Sequence, residues 1–455
     1  MGPVFRRKTF EGDQKSLLGH PRQKFMKRVL VISYYWPPSG GSGVQRWVKF
    51  AKYLPAEDWQ PVIYTPENPE LTSVDRNLEN DIPPEAEVIK TRITEPYSIY
   101  RNITGKKDGK QEEVNPISDG KKSFMQKAAL FIRGNFFIPD PRCLWIRPSV
   151  KFLKKYLKEH PADIIVSTGP PHSMHIIAMK TAEETGLPWI ADFRDPWTRM
   201  FYFKHLPLTS WARKKHIALE KKVLDSASAI VTVTKPLKEE FESMTETPVY
   251  CITNGYDEAD FDQLVEPDGF FNITHTGLFA ADGNPETLWK VLAEKCGEDE
   301  EFRKLLRIRL VGKTDREITE SVISCGLAEN LRNLGYQTHL VATREQMGAS
   351  VLLLPQRKEP EYKSVLTGKI FEYMASGHPI LGIGMTECAM SELLDETRSG
   401  RMIEWDDAEG MKDFIDTCWE KFRNDDRTSD TADISGYSRR ELTAKMARLM
   451  ESLLE

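Results

Sequence analysis

Residues 28–54, "RVLVISYYWPPSGGSGVQRWVKFAKYL", predict how the chain begins to fold. An apolar run of strand length at 28–33 leads into three glycines, and apolar residues then recur three and four positions apart over 44–54, as in a helix with one buried face. Glycines after the first strand of an open α/β sheet let the backbone approach a ligand, to which the next helix points its first amides. We therefore expect Gly40 and Gly41 to bind a ligand, although a tight turn without a ligand explains them equally well.

This turn is not a dinucleotide-binding fingerprint. After Gly41-Ser42-Gly43, the bulky side chains of Gln45 and Arg46 stand where that motif requires a small residue for close packing. The pattern disfavours NAD and leaves Arg46 as a candidate cation near the turn.

The rest of the chain repeats the alternation of strands and helices. Apolar runs of strand length follow at 61–65, 87–91, 162–168, 188–193, 229–234, 271–277, 306–312, 331–337, 349–355 and 378–384. Such alternation is typical of parallel sheets built from β-α-β units, and 455 residues are too many for a single core. We predict an α/β protein with two Rossmann-like domains in tandem.

The predicted boundaries follow composition. Residues 1–25 are polar and aperiodic, which indicates a disordered leader, and the charged, glycine-dotted segment 101–123 indicates an exposed insertion in the first domain. The first domain is expected at 26–247 and the second at 248–435, and two amphipathic helices end the chain.

Overall composition excludes several classes of protein. A formal net charge of −5 gives no broad positive surface for a nucleic acid. The six cysteines form no C-x-x-C pair and have no histidine at ligand spacing, so neither a disulfide framework nor a zinc site is expected. The sequence has no apolar run of the about 20 residues that span a bilayer and no apolar secretion-signal core. We expect a cytoplasmic protein.

Six motifs resemble those of the family 4 glycosyltransferases. They are "YYWPPSGGSGVQR" (34–46), "STGPPHSMHIIA" (167–178), "ADFRDPW" (191–197), "ITNGYDEADF" (252–261), "HTGLFAADGNPETL" (275–288) and "LTGKIFEYMASGHPIL" (366–381). The resemblance implies the GT-B fold, in which two Rossmann-like domains face each other across a cleft. It also implies sugar transfer from a nucleoside diphosphate sugar, with retention of configuration and without a bound metal or other cofactor. The helix at 436–455 would return to the first domain, with hinges near 245–250 and 436.

The last motif predicts the donor site. A helix from Lys369 to Ala375, ended by Gly377 in a left-handed conformation, places Lys369 in its first turn and Glu372 one turn further on. Lys369 and the helix amides suit a diphosphate, and a carboxylate suits two ribose hydroxyls. Spacing alone is equally compatible with two surface residues. The resemblance makes Glu372 the second glutamate of the family's E-x7-E motif, which holds the ribose.

Two departures from the family pattern stand in the donor site. Ser364 occupies the place of the first glutamate, so its role at the donor sugar is either vacant or taken by Ser364, Glu361 or backbone amides. In the loop after Gly277, Leu278 and Gly283 stand near the places of an arginine and a lysine that many relatives carry to neutralise the diphosphate. Lys369, Lys313 and Arg46 are then the candidate cations.

The first domain contributes candidates for the chemistry. His172 follows a strand at the edge where such sheets bind ligands, and the resemblance makes it a group that touches the donor sugar; a capping or packing role is the alternative. Asp195 of "ADFRDPW" suits a general base for the acceptor hydroxyl, or a structural ion pair. No metal ligand is predicted, since "DEAD" at 257–260 is best explained as a chance match to a D-x-D pattern.

The acceptor is indicated more weakly. Residues 123–145 and 197–216 mix aromatic with basic residues, which suits contact with a lipid surface and a lipid-linked sugar acceptor at the inner face of a membrane; buried helix faces explain the same residues. A nucleotide-sugar 2-epimerase on the same fold, or a nucleotide-binding protein that has lost transfer, remain alternative functions.

Overall fold

The structure is a computed structural model that describes residues 26–71, 74–95, 124–426 and 431–455. Within these residues the chain forms two parallel β-sheets, of seven and six strands, each covered by helices. This arrangement confirms the predicted fold class of two Rossmann-like α/β domains. The predicted leader at 1–25 and the insertion at 101–123 lie outside the described residues.

The first sheet consists of β1 (Lys27–Ile32), β2 (Trp59–Pro66), β3 (Glu87–Thr91), β4 (Ile164–Gly169), β5 (Trp189–Phe193), β6 (Ala229–Thr232) and β7 (Val249–Cys251). Its strand order is β3-β2-β1-β4-β5-β6-β7, with all neighbours parallel. The helices of this domain are α1 (Ser42–Tyr53), α2 (Phe124–Phe136), α3 (Ile146–Glu159), α4 (Ser173–Thr185), α5 (Ser210–Ser226) and α6 (Lys235–Glu242).

The second sheet consists of β8 (Phe271–Thr276), β9 (Leu306–Val311), β10 (Leu331–Gly335), β11 (Val351–Pro355), β12 (Ile380–Ile383) and β13 (Gly400–Ile403), in the order β10-β9-β8-β11-β12-β13. Its helices are α7 (Glu286–Glu298), α8 (Glu300–Leu305), α9 (Arg316–Ser324), α10 (His339–Met347), α11 (Gly368–Ser376), α12 (Ala389–Thr397) and α13 (Ala408–Arg423). A last helix, α14 (Arg439–Ser452), follows.

Both faces of each sheet are buried, which explains the continuous apolar runs in the sequence. In β1, Leu30 and Ile32 belong to the core on one face, while Val29 and Val31 belong to the core on the other. A parallel sheet covered by helices on both sides needs apolar residues at successive positions, because alternate side chains point to opposite faces.

In both sheets the strand order reverses next to the first strand, between β1 and β4 and between β8 and β11. Open α/β sheets bind ligands outside the carboxyl ends of the strands at this point. The turn after β1 and His172 after β4 lie at that edge of the first sheet. Gly277 after β8 and the loop 356–367 after β11 lie at that edge of the second.

The chain crosses between the domains twice, and the two crossing segments pair with each other. The amide of Tyr256 donates to the carbonyl of Tyr437 over 3.2 Å, and the amide of Arg439 donates to the carbonyl of Tyr256 over 2.7 Å. Gly255 is needed here, because a Cβ at this position would lie 2.1 Å from the carbonyl oxygen of Tyr437. After the second crossing, α14 packs on α1, where Met446 is buried in the core of the first domain.

Two strands differ from the sequence-based expectation. β7 pairs with β6, so the first sheet extends beyond the predicted boundary at 247/248, and the first crossing follows β7 instead of lying at 245–250. β13, at 400–403, was not predicted at all. Both strands are three or four residues long, too short for a recognisable apolar period.

Among the described residues, no helix combines the length and the apolar content that crossing a bilayer requires.

Candidate active site

Close backbone packing shapes the carboxyl edge of the second sheet. Gly277 (φ 93°) and Gly312 (φ 134°) have backbone angles that side-chain-bearing residues rarely adopt, and a Cβ on Gly312 would lie 2.2 Å from the carbonyl oxygen of Gly277. The next residues also pair, since the amide of Phe279 donates to the carbonyl of Lys313 over 2.9 Å. The exposed Lys313 therefore stands beside the loop that begins at Gly277.

Lys369, in the first turn of α11, lies against the same loop. Its methylenes pack on Gly277, where an added Cβ would meet Cε at 3.1 Å. Its Nζ donates to the carbonyl of Leu278 over 3.2 Å and to Nε2 of His275 over 3.3 Å. Both ring nitrogens of His275 lie near carbonyls, Nδ1 3.0 Å from that of Leu353 and Nε2 3.4 Å from that of Leu278. The shorter contact and the ammonium of Lys369 beside Nε2 favour the tautomer with the proton on Nδ1.

The electrostatics of Lys369 and His275 favour the binding of an anion. Burial, and then the charge of Lys369, hold the pKa of His275 well below its usual range, so the ring is neutral. Burial lowers the pKa of Lys369 to about 8, although the carboxylate of Glu372 partly opposes this. An anion bound at this ammonium would stabilise its charged form and so raise the pKa that burial lowers.

The carboxylate of Glu372 is oriented by a residue that also contacts the end of β8. Nε2 of the buried Gln346, on α10, lies 3.1 Å from Oε2 of Glu372 and 3.0 Å from Oγ1 of Thr276. Gln346 thereby ties the carboxylate to the end of β8. Within the described residues Oε1 of Glu372 makes no hydrogen bond, so it can accept one from a ligand hydroxyl.

The loop between β11 and α11 carries the two candidates for the missing glutamate. The hydroxyl of Ser364 lies 3.5 Å from the carbonyl oxygen of Glu361, a contact within the loop itself. The carboxylate of Glu361 pairs with the ammonium of Lys204, which belongs to the first domain. This ion pair bridges the two domains through Oε1 of Glu361, while the buried Oε2 has no hydrogen-bond partner among the described residues and can still accept one from a ligand.

His172 begins the helix after β4 in the first domain. It is only 4% exposed and stacks on Trp197, with ring centroids 4.8 Å apart and planes inclined by 3°. Burial, and then neighbouring His175 and Arg194, hold the pKa of His172 well below its usual value, so the ring is neutral. Neither ring nitrogen has a hydrogen-bond partner among the described residues. A buried, rigid imidazole without partners has bonding capacity left for a ligand.

Asp195 and the glycine turn lie at the same edge. Arg194 donates to the carbonyls of Gly169 and Pro170, and a Cβ on Gly43 would lie 2.6 Å from its Nη1. Burial raises the pKa of Asp195, against the opposing charge of Arg194, which suits a carboxylate that accepts a proton.

Gly40 and Gly41 lie between β1 and α1, and Gly41 has a φ of 96° directly before the helix. The amide of Val44 donates to the carbonyl of Gly41 over 3.1 Å. The helix has no side-chain cap at this end, so the amides of Ser42 and Gly43 are open to another acceptor.

The prediction that Arg46 binds the diphosphate is wrong in this structure. Arg46 is fully buried and pairs with the equally buried Asp192 over 2.9 Å. Its remaining donors reach the carbonyls of Ile252 and Thr253. All N–H donors of Arg46 are used in hydrogen bonds that hold α1 against β5 and the first crossing, so none remains for a ligand.

The "DEAD" tetrad proves to be structural. Asp257 accepts from Lys49 over 2.6 Å and Lys52 over 2.7 Å, and Asp260 accepts from His339 over 3.1 Å. Among the described residues, no three His, Cys, Asp or Glu side chains gather as a metal site requires.

The sequence reasoning missed three residues of this region: His339, Gln346 and Arg439. Gln346 orients Glu372. The charge of Glu372 helps to raise the pKa of His339, and it partly opposes the lowering of the pKa of Arg439 by burial. No local pattern marks them, because each comes near Glu372 only through the fold.

The predicted residues therefore form two groups. Gly277, Lys313, Lys369 and Glu372 come together at the edge of the second sheet, with Ser364 in the adjoining loop. Gly40, Gly41, His172 and Asp195 lie at the edge of the first sheet. Arg46 belongs to neither group.

Comparisons with known proteins agree with this geometry. The sequence model of Glycosyltransferase Family 4 matches residues 108–260, which confirms the resemblance for that part of the chain. Solved structures of the GT-B type match over most of the chain, and at their low identity they show the fold alone. No curated protein matches in sequence.

Three of these structures illustrate the likeness. A glycosyltransferase from Rickettsia africae ESF-5 is 13% identical, with a TM-score of 0.60, over 94% of this chain and 99% of that one. WaaG, a glycosyltransferase involved in lipopolysaccharide biosynthesis, is 15% identical, with a TM-score of 0.54, over 93% and 99%. Anabaena HepE in complex with UDP-glucose is 13% identical, with a TM-score of 0.53, over 94% and 97%. The family match and the fold together support a glycosyltransferase.

Proposed function

We propose that this protein transfers a hexosyl group from a nucleoside diphosphate sugar to a glycan or lipid-linked sugar in cell-surface polysaccharide assembly. The reaction proceeds with retention of configuration and without a metal ion or other cofactor. The observation that carries the proposal is the group formed by Gly277, Lys369 and Glu372. It combines one cation, an oriented carboxylate and the uncapped amides of Gly368 and Lys369 at the edge of a sheet where nucleotides bind.

The chemistry follows from where charge develops. As the bond to the leaving diphosphate breaks, negative charge grows on its bridging oxygen, and Lys369 with the amides of α11 stabilises that charge in place. Glu372 accepts hydrogen bonds from the two ribose hydroxyls and so fixes the nucleotide. Lys313 adds a second, solvent-exposed positive charge beside the loop.

The first domain acts on the sugar and the acceptor. The free nitrogens of His172 hydrogen-bond a hydroxyl of the donor sugar, and Asp195, whose pKa burial raises, takes the acceptor proton. The amides after Gly41 bind the acceptor or the phosphate. Ser364, the unpaired Oε2 of Glu361 and backbone amides hold the sugar that a glutamate at position 364 would otherwise contact.

The acceptor side carries a surface suited to lipid. Phe136, at the end of α2, is 73% exposed, and Trp211, in the first turn of α5, is 63% exposed with the ammonium of Lys215 4.8 Å from its ring. Exposed aromatic groups beside cations are typical of surfaces at the lipid headgroups. We propose peripheral contact with the cytoplasmic face of a membrane that holds a lipid-linked acceptor.

The test is a screen of UDP-, GDP- and ADP-sugars for turnover with and without a lipid extract. Sugar transfer that requires the extract supports the proposal. Conversion of the donor without acceptor would instead indicate the epimerase, and nucleotide binding without any turnover would indicate a protein that has lost transfer.

A matched pair of variants tests the site itself. Glu372→Gln should weaken nucleotide binding by about 1–3 kcal/mol, because an amide is a poorer acceptor for two hydroxyls. Glu392→Gln changes an exposed carboxylate on α12 and should leave binding unchanged. Equal affinities of both variants in calorimetry would remove Glu372 from the site.

A further inference from the structure

Arg439, the first residue of α14, carries a buried positive charge that no hydrogen bond satisfies. The residue is 5% exposed. Its Nη1 is enclosed and has no partner among the described residues, and no side-chain hydrogen bond or ion pair of Arg439 occurs within them. A buried charge without hydrogen bonds is costly, so a guanidinium kept in this state indicates a partner that arrives from outside the chain.

Packing places Arg439 beside the donor site, because Tyr437, two residues earlier, lies against Phe371 of α11, the neighbour of Glu372, with ring centroids 5.7 Å apart. The charges that act on Arg439 come from different elements: Arg46 on α1, Asp257 and Asp260 in the first crossing, and Glu372 on α11. Three of these are already engaged, since Arg46 pairs with Asp192, Asp257 with Lys49 and Lys52, and Asp260 with His339. Oε1 of Glu372, the group assigned to the ribose, and Oδ1 of Asp260 accept no hydrogen bond among the described residues.

The guanidinium remains charged under ordinary conditions. Burial and then the neighbouring charge of Arg46 lower the pKa of Arg439 to about 10, which is still well above neutral pH. At the same time the loop after Gly277 lacks cations, because Leu278 and Gly283 stand there. This loop therefore supplies no cation for a diphosphate. Arg439, whose Nη1 has no partner among the described residues, lies beside the donor site.

We propose that Arg439 is a ligand-binding residue, which donates from the last helix to a phosphate oxygen of the nucleoside diphosphate. This inference rests on the proposed function and adds to it a residue outside the second domain's sheet. Binding would then join α14 of the first domain's core to α11 of the second through the ligand. The chemistry recognised is an oxyanion, for which a guanidinium offers several donors in one plane.

The experiment compares calorimetric titrations of UDP, GDP and ADP, and of the matching nucleosides, on the full chain. For Arg439→Gln we expect at least a tenfold loss of affinity for the diphosphate that the wild type binds best, with the nucleoside affinity unchanged. Arg440→Gln is the matched control, because Arg440 lies next on the same helix, is 59% exposed, and contacts Glu258 at 3.6 Å and the ring of Tyr53 at 5.2 Å.

A structural role predicts a different pattern. If Arg439 only supported the fold, Arg439→Gln would lower the melting temperature and affect diphosphate and nucleoside equally; we expect the unliganded variant to melt no lower than the wild type. Arg439→Lys keeps the charge but loses the planar set of donors, and it should retain part of the diphosphate affinity. If Arg439→Gln does not fold, a wild-type-like diphosphate affinity of Arg439→Lys would overturn the proposal, and a selective loss would support it.

The outcomes separate this inference from the proposed function. Wild-type affinity in Arg439→Gln, with tight diphosphate binding by the wild type, overturns the inference and leaves the proposed function intact. Absence of nucleotide binding by the wild type contradicts both.

Discussion

Lys369 and Arg46 show how surroundings decide what a cation can do. Both were candidates for the diphosphate, since the loop after Gly277 lacks the arginine and lysine that many relatives carry. Arg46 is enclosed with a carboxylate and two carbonyls, whereas the partners of Lys369 are a carbonyl and a neutral imidazole, neither of which cancels its charge. Lys369 therefore keeps a charge that could stabilise a bound anion, whereas Arg46 does not.

This difference makes nucleotide binding depend on pH. The pKa of Lys369 is lowered to about 8, so the ammonium loses its proton as pH rises through that value, and a diphosphate should bind about tenfold more weakly at pH 9 than at pH 7. Lys369→Arg stays charged and should lose most of this dependence. Calorimetry across this range checks the expectation, and parallel curves for the two proteins would contradict it.

At the scale of single residues, the sequence could predict only those features that a short stretch of the chain determines. Lys369, Glu372 and Gly377 lie within nine positions, and the structure has the expected helix with Gly377 at a φ of 75°. The burial of Arg46 depends on Asp192, 146 positions away, and could not be predicted from either stretch.

At the scale of elements, two glycine turns bring the loops of the second sheet together. Gly277 and Gly312 approach so closely that neither loop could keep its path with a side chain at Gly312. Because Lys369 packs on Gly277, the position of its ammonium depends on this contact.

The sequence predicted most strands for the same reason that it predicted these turns, namely that apolar runs and glycines act locally. It missed β7 and β13, which are defined by their pairing with β6 and β12.

Gly312→Ala should disturb both fold and site. The added Cβ meets backbone, and the φ of 134° is strained for alanine, so we expect a loss of about 1–3 kcal/mol in the free energy of unfolding together with weaker nucleotide binding. Gly297→Ala, where a Cβ meets nothing within 4 Å, is the control. Urea denaturation measures the difference, and equal stability of the two variants would contradict the account of the turns.

At the scale of the whole molecule, charged groups tie the domains together beside the site. His339 on α10 donates to Asp260, which lies 3.5 Å from Lys49 on α1. Burial opposes the charge of His339, but its hydrogen bond to Asp260 and the charges of Glu372 and Asp260 outweigh burial and raise the pKa of His339 to about 8. The domain interface therefore contains a group that titrates near neutral pH.

Stability should follow this titration. A histidine whose pKa is raised on folding from 6.5 to about 8 contributes about 2 kcal/mol that is fully present below pH 6.5 and is lost as pH rises through 8. The difference in unfolding free energy between wild type and His339→Gln should shrink over that window. A difference that stays constant from pH 6 to pH 9 would show that His339 does not carry the effect.

The central claim is that the two domains grip an activated sugar with Lys369 and Glu372 as the main contacts on the second. A crystal structure of the protein with the nucleoside diphosphate that it binds best tests this most directly. The account predicts phosphate oxygens within hydrogen-bond distance of Lys369 Nζ and both ribose hydroxyls on Glu372. A nucleotide bound elsewhere, with these two side chains still in contact only with the chain, would contradict it.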